Sequence, residues 1–245
     1  MKTLKNIFAR FWAIWGLITF AVTFLIIFIP SLFSYLFKEE KRGQYYFKII
    51  SQLWMRSWLF LIGCRVKIYG RENFIDGENY VVVFNHNALL DVPLSSPFVP
   101  GSNKTIAKAS FAKVPLFGLF YKKGSVLIDR KEEKSRIASF EAMKNVLLSG
   151  MHMCIYPEGT RNRTSQLIKP FYDGAFKLAI ESKKDIIPCI INGTKEAMPI
   201  EKTLYLLPKK LSVTFLPAVP SENYTAKELN KKVFDLMWSE LEKES

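Results

Sequence analysis

Only two histidines occur in the 245 residues. One of them, His86, stands just past a run of β-branched residues, "YVVVFNHNALLDVP" (80–93), with Asp91 five positions on. In a regular helix, residues five apart sit roughly 140° around the axis and do not meet. They meet if His86 occupies the loop after a strand over Tyr80–Phe84 and Asp91 the first turn of a helix. The carboxylate can then accept from one imidazole nitrogen, fixing the tautomer and stabilising the imidazolium. The other nitrogen is left to take a proton from a hydroxyl. That is a general base with its orienting group, without an obvious nucleophile. A histidine closing the strand beside an aspartate capping the helix is the plainer reading of the same spacing.

Downstream lie residues suited to an anion. "YPEGTRN" (156–162) follows a β-like run and places Gly159, Thr160 and Arg161 in one turn, where backbone N–H groups, a hydroxyl and a guanidinium can hold a phosphate. Glu158 would repel such a ligand unless it pairs with Arg161 or binds backbone amides, so it is expected to shape the loop. "GSVLIDR" (124–130) is a short strand ending in a second candidate, Arg130. "IAKASFAKVPLFG" (106–118) adds Lys108 and Lys113, either of which by itself reads first as solvated surface. Gly174 precedes a helix whose N-terminus can face an anion. "IIPCIINGT" (186–194) reads as a buried strand, with Pro188 arguing for an edge or a bulge.

The elements that must position these groups alternate from Cys64 onward. Strands are expected over Val66–Tyr69, Tyr80–Phe84, Thr105–Ala107, Ser125–Ile128, His152–Tyr156, Ile186–Ile191 and Leu211–Leu216. Glu132–Ser149 carries Ile137, Phe140, Met143, Val146 and Leu147 at helical spacing, with Gly150 as its stop. A second helix covers Ala175–Ser182. The last opens with a capping box, Thr225 to Glu228, and is expected to bury Leu229, Val233, Leu236, Met237 and Leu241. The fold class is therefore α/β: a mixed, largely covered sheet of about seven strands flanked by helices.

Before it comes an apolar segment. Phe11–Phe37 contains no charged residue, and Phe11–Ile29 nearly supplies a spanning length before Pro30 interrupts. It is too long for a signal peptide and lacks a cleavage site. Trp12, Trp15 and Tyr35 suit a membrane interface. Gln44–Gly63 carries only Lys48 and Arg56, eight apart and able to share one stripe. Residues 1–63 are thus read as a membrane-associated helix pair and 64–245 as a single α/β domain. Positive-inside logic with one crossing would export a domain that looks reduced and cytosolic. A pair entering and leaving from one side, with the domain on the cytoplasmic face, is the favoured arrangement.

The balance of 35 Lys and Arg against 22 Asp and Glu gives a net charge of +13, which points to anionic partners. No zinc-finger spacing, RNP-type motif or long basic helix favours nucleic acid. Three scattered cysteines, Cys64, Cys154 and Cys189, read as buried thiols, and with two histidines they make no metal-ligand pattern.

Taken in order, four blocks resemble the 1-acyl-sn-glycerol-3-phosphate acyltransferase family. They are Asn85, His86 and Asp91 for NH-x4-D; Gly124–Arg130 for G-x-x-F-I-D-R; Tyr156–Arg161 for F-P-E-G-T-R; and Ile187–Ile191 for the proline-containing apolar block. Ala88 stands where the family often has serine, Leu127 and Tyr156 where it has phenylalanine. The resemblance implies acyl transfer from acyl-CoA or acyl-carrier protein to the sn-2 hydroxyl of lysophosphatidic acid, at a membrane and without a cofactor. It implies His86 as base oriented by Asp91. The acceptor phosphate would fall to Arg161, with Arg130 and Lys108 as weaker candidates, and Gly124, Glu158, Gly159 and Thr160 would complete the binding set. Rival readings are another lysolipid or glycerol-3-phosphate as acceptor, an ester hydrolase (for which G-x-S-x-G is missing) and a non-enzymatic lipid-binding module.

Overall fold

Val81-Val82-Val83-Phe84 is apolar at every position, the mark of a strand buried on both faces. The computed structural model, which describes residues 2–129 and 131–243, puts this strand at the sheet centre. In chain order the elements are α1 (Lys2–Leu32), α2 (Glu40–Leu61), β1 (Arg65–Tyr69), β2 (Val81–Phe84), α3 (Asp91–Leu94), β3 (Asn103–Lys108), α4 (Phe117–Lys123), β4 (Ser125–Ile128) and α5 (Glu133–Leu148). They continue with β5 (His152–Ile155), α6 (Gly174–Ser182), β6 (Ile186–Asn192), α7 (Thr194–Ala197), β7 (Lys210–Phe215) and α8 (Ala226–Lys243). The seven strands form one sheet in the order β1-β7-β6-β2-β5-β3-β4. All neighbours are parallel except β6 and β7, so β1 and β7 run against the other five.

Alternation along each strand divides the core into two layers. Val82, Phe84, Cys154, Ile187, Cys189 and Ile191 face one side, where α1 and α2 pack with Phe24, Trp54, Trp58 and Leu59. Val81, Val83, Met153, Ile155, Ile186 and Ile190 face the other, covered by α5, α6 and α8. All three cysteines are free and buried. The Thr225–Glu228 box is formed: Thr225 N–H donates to Glu228 Oε2 at 2.8 Å, and Glu228 N–H to Thr225 Oγ1 at 3.3 Å.

Three expectations need correction. Pro188 lies in an interior strand, so of the two readings, edge or bulge, the edge fails and the bulge holds. A strand residue's N–H and C=O point to the same neighbour, and the Pro188 carbonyl accepts from Leu216 N–H on the β7 side. The missing N–H falls where the pairing slips: Ile186 pairs with Val219, so Pro217 and Ala218 together stand opposite the single Ile187. Leu236 is exposed on α8, while Leu229, Val233, Met237 and Leu241 are buried; Ile137 is likewise exposed on α5. Pro30 does not end α1, which runs on to Leu32, because proline removes only one donor and here falls in the last turn.

The indoles of the helix pair do more than sit at an interface. Trp12 and Trp15 Nε1–H donate to the carbonyls of Ile62 and Leu61, which the end of α2 leaves without helical partners. Trp58 donates back to Gly16 O, and Trp54 to Thr23 Oγ1. Gly16 also makes room for Leu206, since a Cβ there would stand 2.7 Å from Leu206 Cδ2. The outer face of α1 stays bare: Phe11, Leu17, Leu25, Ile26 and Ile29 are each more than half exposed.

Candidate active site

β2 ends at Phe84, and the next residue extends the strand by side-chain mimicry. Asn85 Nδ2 donates to Ile191 O at 2.9 Å, and its Oδ1 accepts from Ile191 N–H at 2.7 Å. This anchors the start of the loop to β6 and presents His86 at the carboxyl ends of the parallel strands, where sheet proteins place their chemistry. Asp91 opens α3, is fully buried, and gathers three donors on one oxygen: His86 Nδ1 at 2.8 Å and the N–H groups of Asn87 (2.6 Å) and Ala88 (2.7 Å). The two amides fix the carboxylate, and the carboxylate fixes the ring. With Nδ1–H donated to Asp91, Nε2 carries the lone pair. The Tyr156 ring stacks on the imidazole with centroids 4.3 Å apart, leaving the His86 side chain 15% exposed.

The loop after β5 holds the peptide of the same histidine. Glu158 Oε1 accepts His86 N–H at 2.6 Å, and the His86 carbonyl accepts Asn162 N–H at 2.6 Å. Glu158 Oε2 accepts Lys169 N–H at 3.0 Å. Glu158 is therefore a buried tie between three backbone segments. Burial pushes its carboxyl up to about 7, against the two amide donors that favour the anion. Gly159, at φ 72°, makes the turn, and its N–H is spent on Tyr156 O at 3.0 Å. Asn162 stiffens the chain from Thr164 to Gln166 by accepting from Thr164 and donating to Gln166 O.

These contacts sort the residues read from sequence. His86, Asp91, Thr160 and Arg161 come together, because Asn162 touches His86 and Arg161 is its neighbour. The guanidinium of Arg161 has no hydrogen-bond or ion-pair partner among the described residues. Lys108 ends β3, exposed; extending the Lys104–Met153 pairing places it level with Pro157, on the same rim. Glu158 and Gly159 support the loop rather than face a ligand. Gly124 is elsewhere: it precedes β4, at the opposite end of the parallel strands, where a Cβ would stand 2.8 Å from Phe47 Cε1. Glycine is needed there for packing against α2. Arg130 lies outside the described residues.

Lys169 was not singled out by sequence. Its ammonium donates to Thr160 Oγ1 at 2.7 Å and to Glu158 O at 3.4 Å. A lysine before a proline in a polar loop carries no motif, so only the fold reveals it.

Fold and site together define an α/β protein with an imidazole–carboxylate pair and a cationic turn at the carboxyl ends of its parallel strands. Residues 65–192, just over half of the chain, match the Acyltransferase family model, and the chain belongs to that family. It is similar to mouse 1-acyl-sn-glycerol-3-phosphate acyltransferase alpha, 30% identical over 168 residues, covering 68% of this chain and 59% of the relative. The 1-acyl-sn-glycerol-3-phosphate acyltransferase of Saccharomyces cerevisiae is 35% identical over 138 residues, 55% of this chain and 45% of the relative. The chain thus spans about three fifths of the length of the mouse relative. The crystal structure of the 1-acyl-sn-glycerophosphate (LPA) acyltransferase PlsC from Thermotoga maritima shares the fold, with TM-score 0.80 at 22% identity over 99% of this chain and 97% of that one.

Proposed function

We propose that the chain moves a fatty acyl group from a thioester, acyl-CoA or acyl-carrier protein, to the sn-2 hydroxyl of lysophosphatidic acid, forming phosphatidic acid. The observation that carries this reading is the double hold on His86. Its ring is fixed by Asp91 and its peptide by Glu158 and Asn162, with Nε2 uncommitted beside the loop that bears Arg161.

Nε2 takes the proton of the acceptor hydroxyl as its oxygen attacks the thioester carbonyl carbon. The carbonyl electron pair moves onto oxygen, and the new imidazolium is stabilised by Asp91. Collapse restores the carbonyl and breaks the C–S bond, and the departing thiolate takes the proton from Nε2. No acyl-enzyme forms, and the histidine ends as it began. Arg161, helped by Lys108 and Arg130, grips the acceptor phosphate. Fixing the hydroxyl in this way supplies several kcal/mol of the barrier. Glu158 and Gly159 keep the gripping loop in register with the base, and Thr160 adds its hydroxyl to the phosphate site.

Residues 1–63 act as the membrane anchor of the 64–245 acyltransferase domain, held on the cytoplasmic side. The inner face of α1 belongs to the same core as the sheet. A crossing helix would have to strip that packing and break its indole bonds to α2, so the pair lies in one leaflet. The acceptor then reaches the site from the bilayer surface and the donor from water.

The test is acyl transfer by purified protein in vesicles, from labelled acyl-CoA, against a panel of acceptors. Dependence on a phosphate monoester with a glycerol backbone and one chain is expected. Equal use of lysophosphatidylcholine would overturn the headgroup assignment, and preference for glycerol-3-phosphate would replace the acceptor.

A further inference from the structure

Lys169 approaches the 158–160 turn through three donors. Its N–H goes to Glu158 Oε2, and its ammonium goes to Thr160 Oγ1 at 2.7 Å and Glu158 O at 3.4 Å. An ammonium has three N–H bonds, so one remains uncommitted. A threonine hydroxyl that accepts from an ammonium keeps its own proton for another acceptor. Thr160 is exposed, and its proton has no acceptor among the described residues. Arg161, next in the chain, likewise has no partner among them. The loop that Glu158 and Asn162 tie to His86 therefore holds two cations and a hydroxyl whose proton Lys169 leaves for another acceptor.

We infer that Lys169 is a specificity-determining residue of the acceptor site, binding the substrate phosphate opposite Arg161 and presenting Thr160 to it as a donor. This rests on the reading that the acceptor phosphate sits at the 158–161 turn. The charge count chooses the ligand class. Lys169 adds a cation and the Thr160 donor to the Arg161 and Lys108 side chains on the same rim, and that much positive charge suits a phosphate monoester, which carries three terminal oxygens and about −1.5 to −2 charge at neutral pH. A phosphodiester offers two oxygens and one charge to a rim that already holds Arg161 and Lys108, and leaves Lys169 unmatched. Lys169 thereby discriminates lysophosphatidic acid from lysolipids bearing a capped phosphate.

The experiment is steady-state kinetics of Lys169→Met, Lys169→Arg, Thr160→Val and Arg161→Met, with lysophosphatidic acid and acyl-CoA each varied. Methionine keeps the stem and the backbone N–H, so the Glu158 tie survives. Lys169→Met is expected to raise KM for lysophosphatidic acid about 10- to 100-fold, the loss of one charge-assisted bond. KM for acyl-CoA is expected to stay, kcat to stay within about threefold, and Lys169→Arg to recover most of the loss. Thr160→Val is expected to raise the same KM and to add little in combination with Lys169→Met. If Arg161→Met raises KM for lysophosphatidic acid and Lys169→Met does not, the inference falls while the acceptor site stands. If neither does, the acceptor site falls and takes the inference with it. A Lys169→Met protein that loses kcat and melting temperature together, with both KM values unmoved, would make the lysine structural and overturn the proposal.

Discussion

The carboxylate of Glu158 accepts the main-chain N–H of His86 at 2.6 Å across 72 residues of sequence. Its other oxygen holds Lys169 N–H at 3.0 Å. One buried side chain thus sets the distance between the imidazole and the turn carrying Thr160 and Arg161. The glutamate of the "YPEGTR" block serves by accepting one backbone N–H on each of its two oxygens.

Glu158→Gln tests this. An amide has one accepting oxygen and one donating nitrogen, so it must turn an N–H against either His86 N–H or Lys169 N–H. A drop in kcat of at least about tenfold is expected, the lower range for losing a bond to a charged group, with lysophosphatidic acid binding reduced less. An unchanged kcat would show that the tie does not set the geometry of the base.

His152, the second histidine, is buried at the start of β5, where its Nδ1 accepts Tyr80 N–H at 3.1 Å. Burial, with Lys41 and Lys48 nearby, lowers its pKa from 6.5 to about 4. The unfolded chain then binds a proton that the folded one refuses, so stability is full above 6.5 and falls as pH drops towards 4. The loss is about 1.4 kcal/mol per pH unit and roughly 3 kcal/mol in all. The substitution His152→Asn would offer an oxygen to Tyr80 N–H without titrating. Chemical denaturation of wild type and His152→Asn across pH 4–7 should show the two diverging by that amount at the acid end, and parallel curves would refute it. Glu158 slopes oppositely: its raised pKa favours the fold below 4.5, and that contribution fades as pH rises through about 7.

Gly124→Ala separates packing from binding. Its Cβ would press on Phe47 at 2.8 Å, a strain worth about 1–3 kcal/mol. Melting temperature should fall while KM for lysophosphatidic acid stays within about twofold. A raised KM with unchanged melting would return Gly124 to the binding set.

The bare face of α1 predicts vesicle binding. Ile26 and Ile29 are 68% and 66% exposed, and burying each apolar side chain in lipid is worth roughly 1.5–3 kcal/mol. The double substitution Ile26→Glu with Ile29→Glu should cut co-sedimentation with anionic vesicles at least about tenfold, with turnover of micellar acceptor retained. Undiminished co-sedimentation would place the lipid contact on another surface.

Much of the fold and site was legible in sequence because it is local. The unbroken apolar runs Val81–Phe84 and Ile186–Ile191 located the central strands, and H-x4-D allowed a contact once a loop and a helix start were placed between its ends. The hidden part depends on direction and distance. Gly124 shares a motif block with Asp129, yet β4 runs parallel to β3, which carries the glycine to the far end of the sheet. Pro188 signals an edge or a bulge, and only the pairing of its surroundings, Leu216 with Pro188 but Val219 with Ile186, shows that it is a bulge. Lys169 acts through bonds that exist only when Glu158 and Thr160 fold beside it. The indoles of Trp12 and Trp15 read as interfacial anchors, and nothing local revealed that their N–H groups close the end of α2.

Replacement of His86 by alanine tests the central claim most directly, read as turnover of labelled acyl-CoA with lysophosphatidic acid alongside vesicle and acceptor binding. Loss of turnover by at least about a thousandfold, with melting temperature and acceptor binding retained, is the predicted result. Turnover within a few-fold of wild type would mean that the imidazole held by Asp91 is not the base.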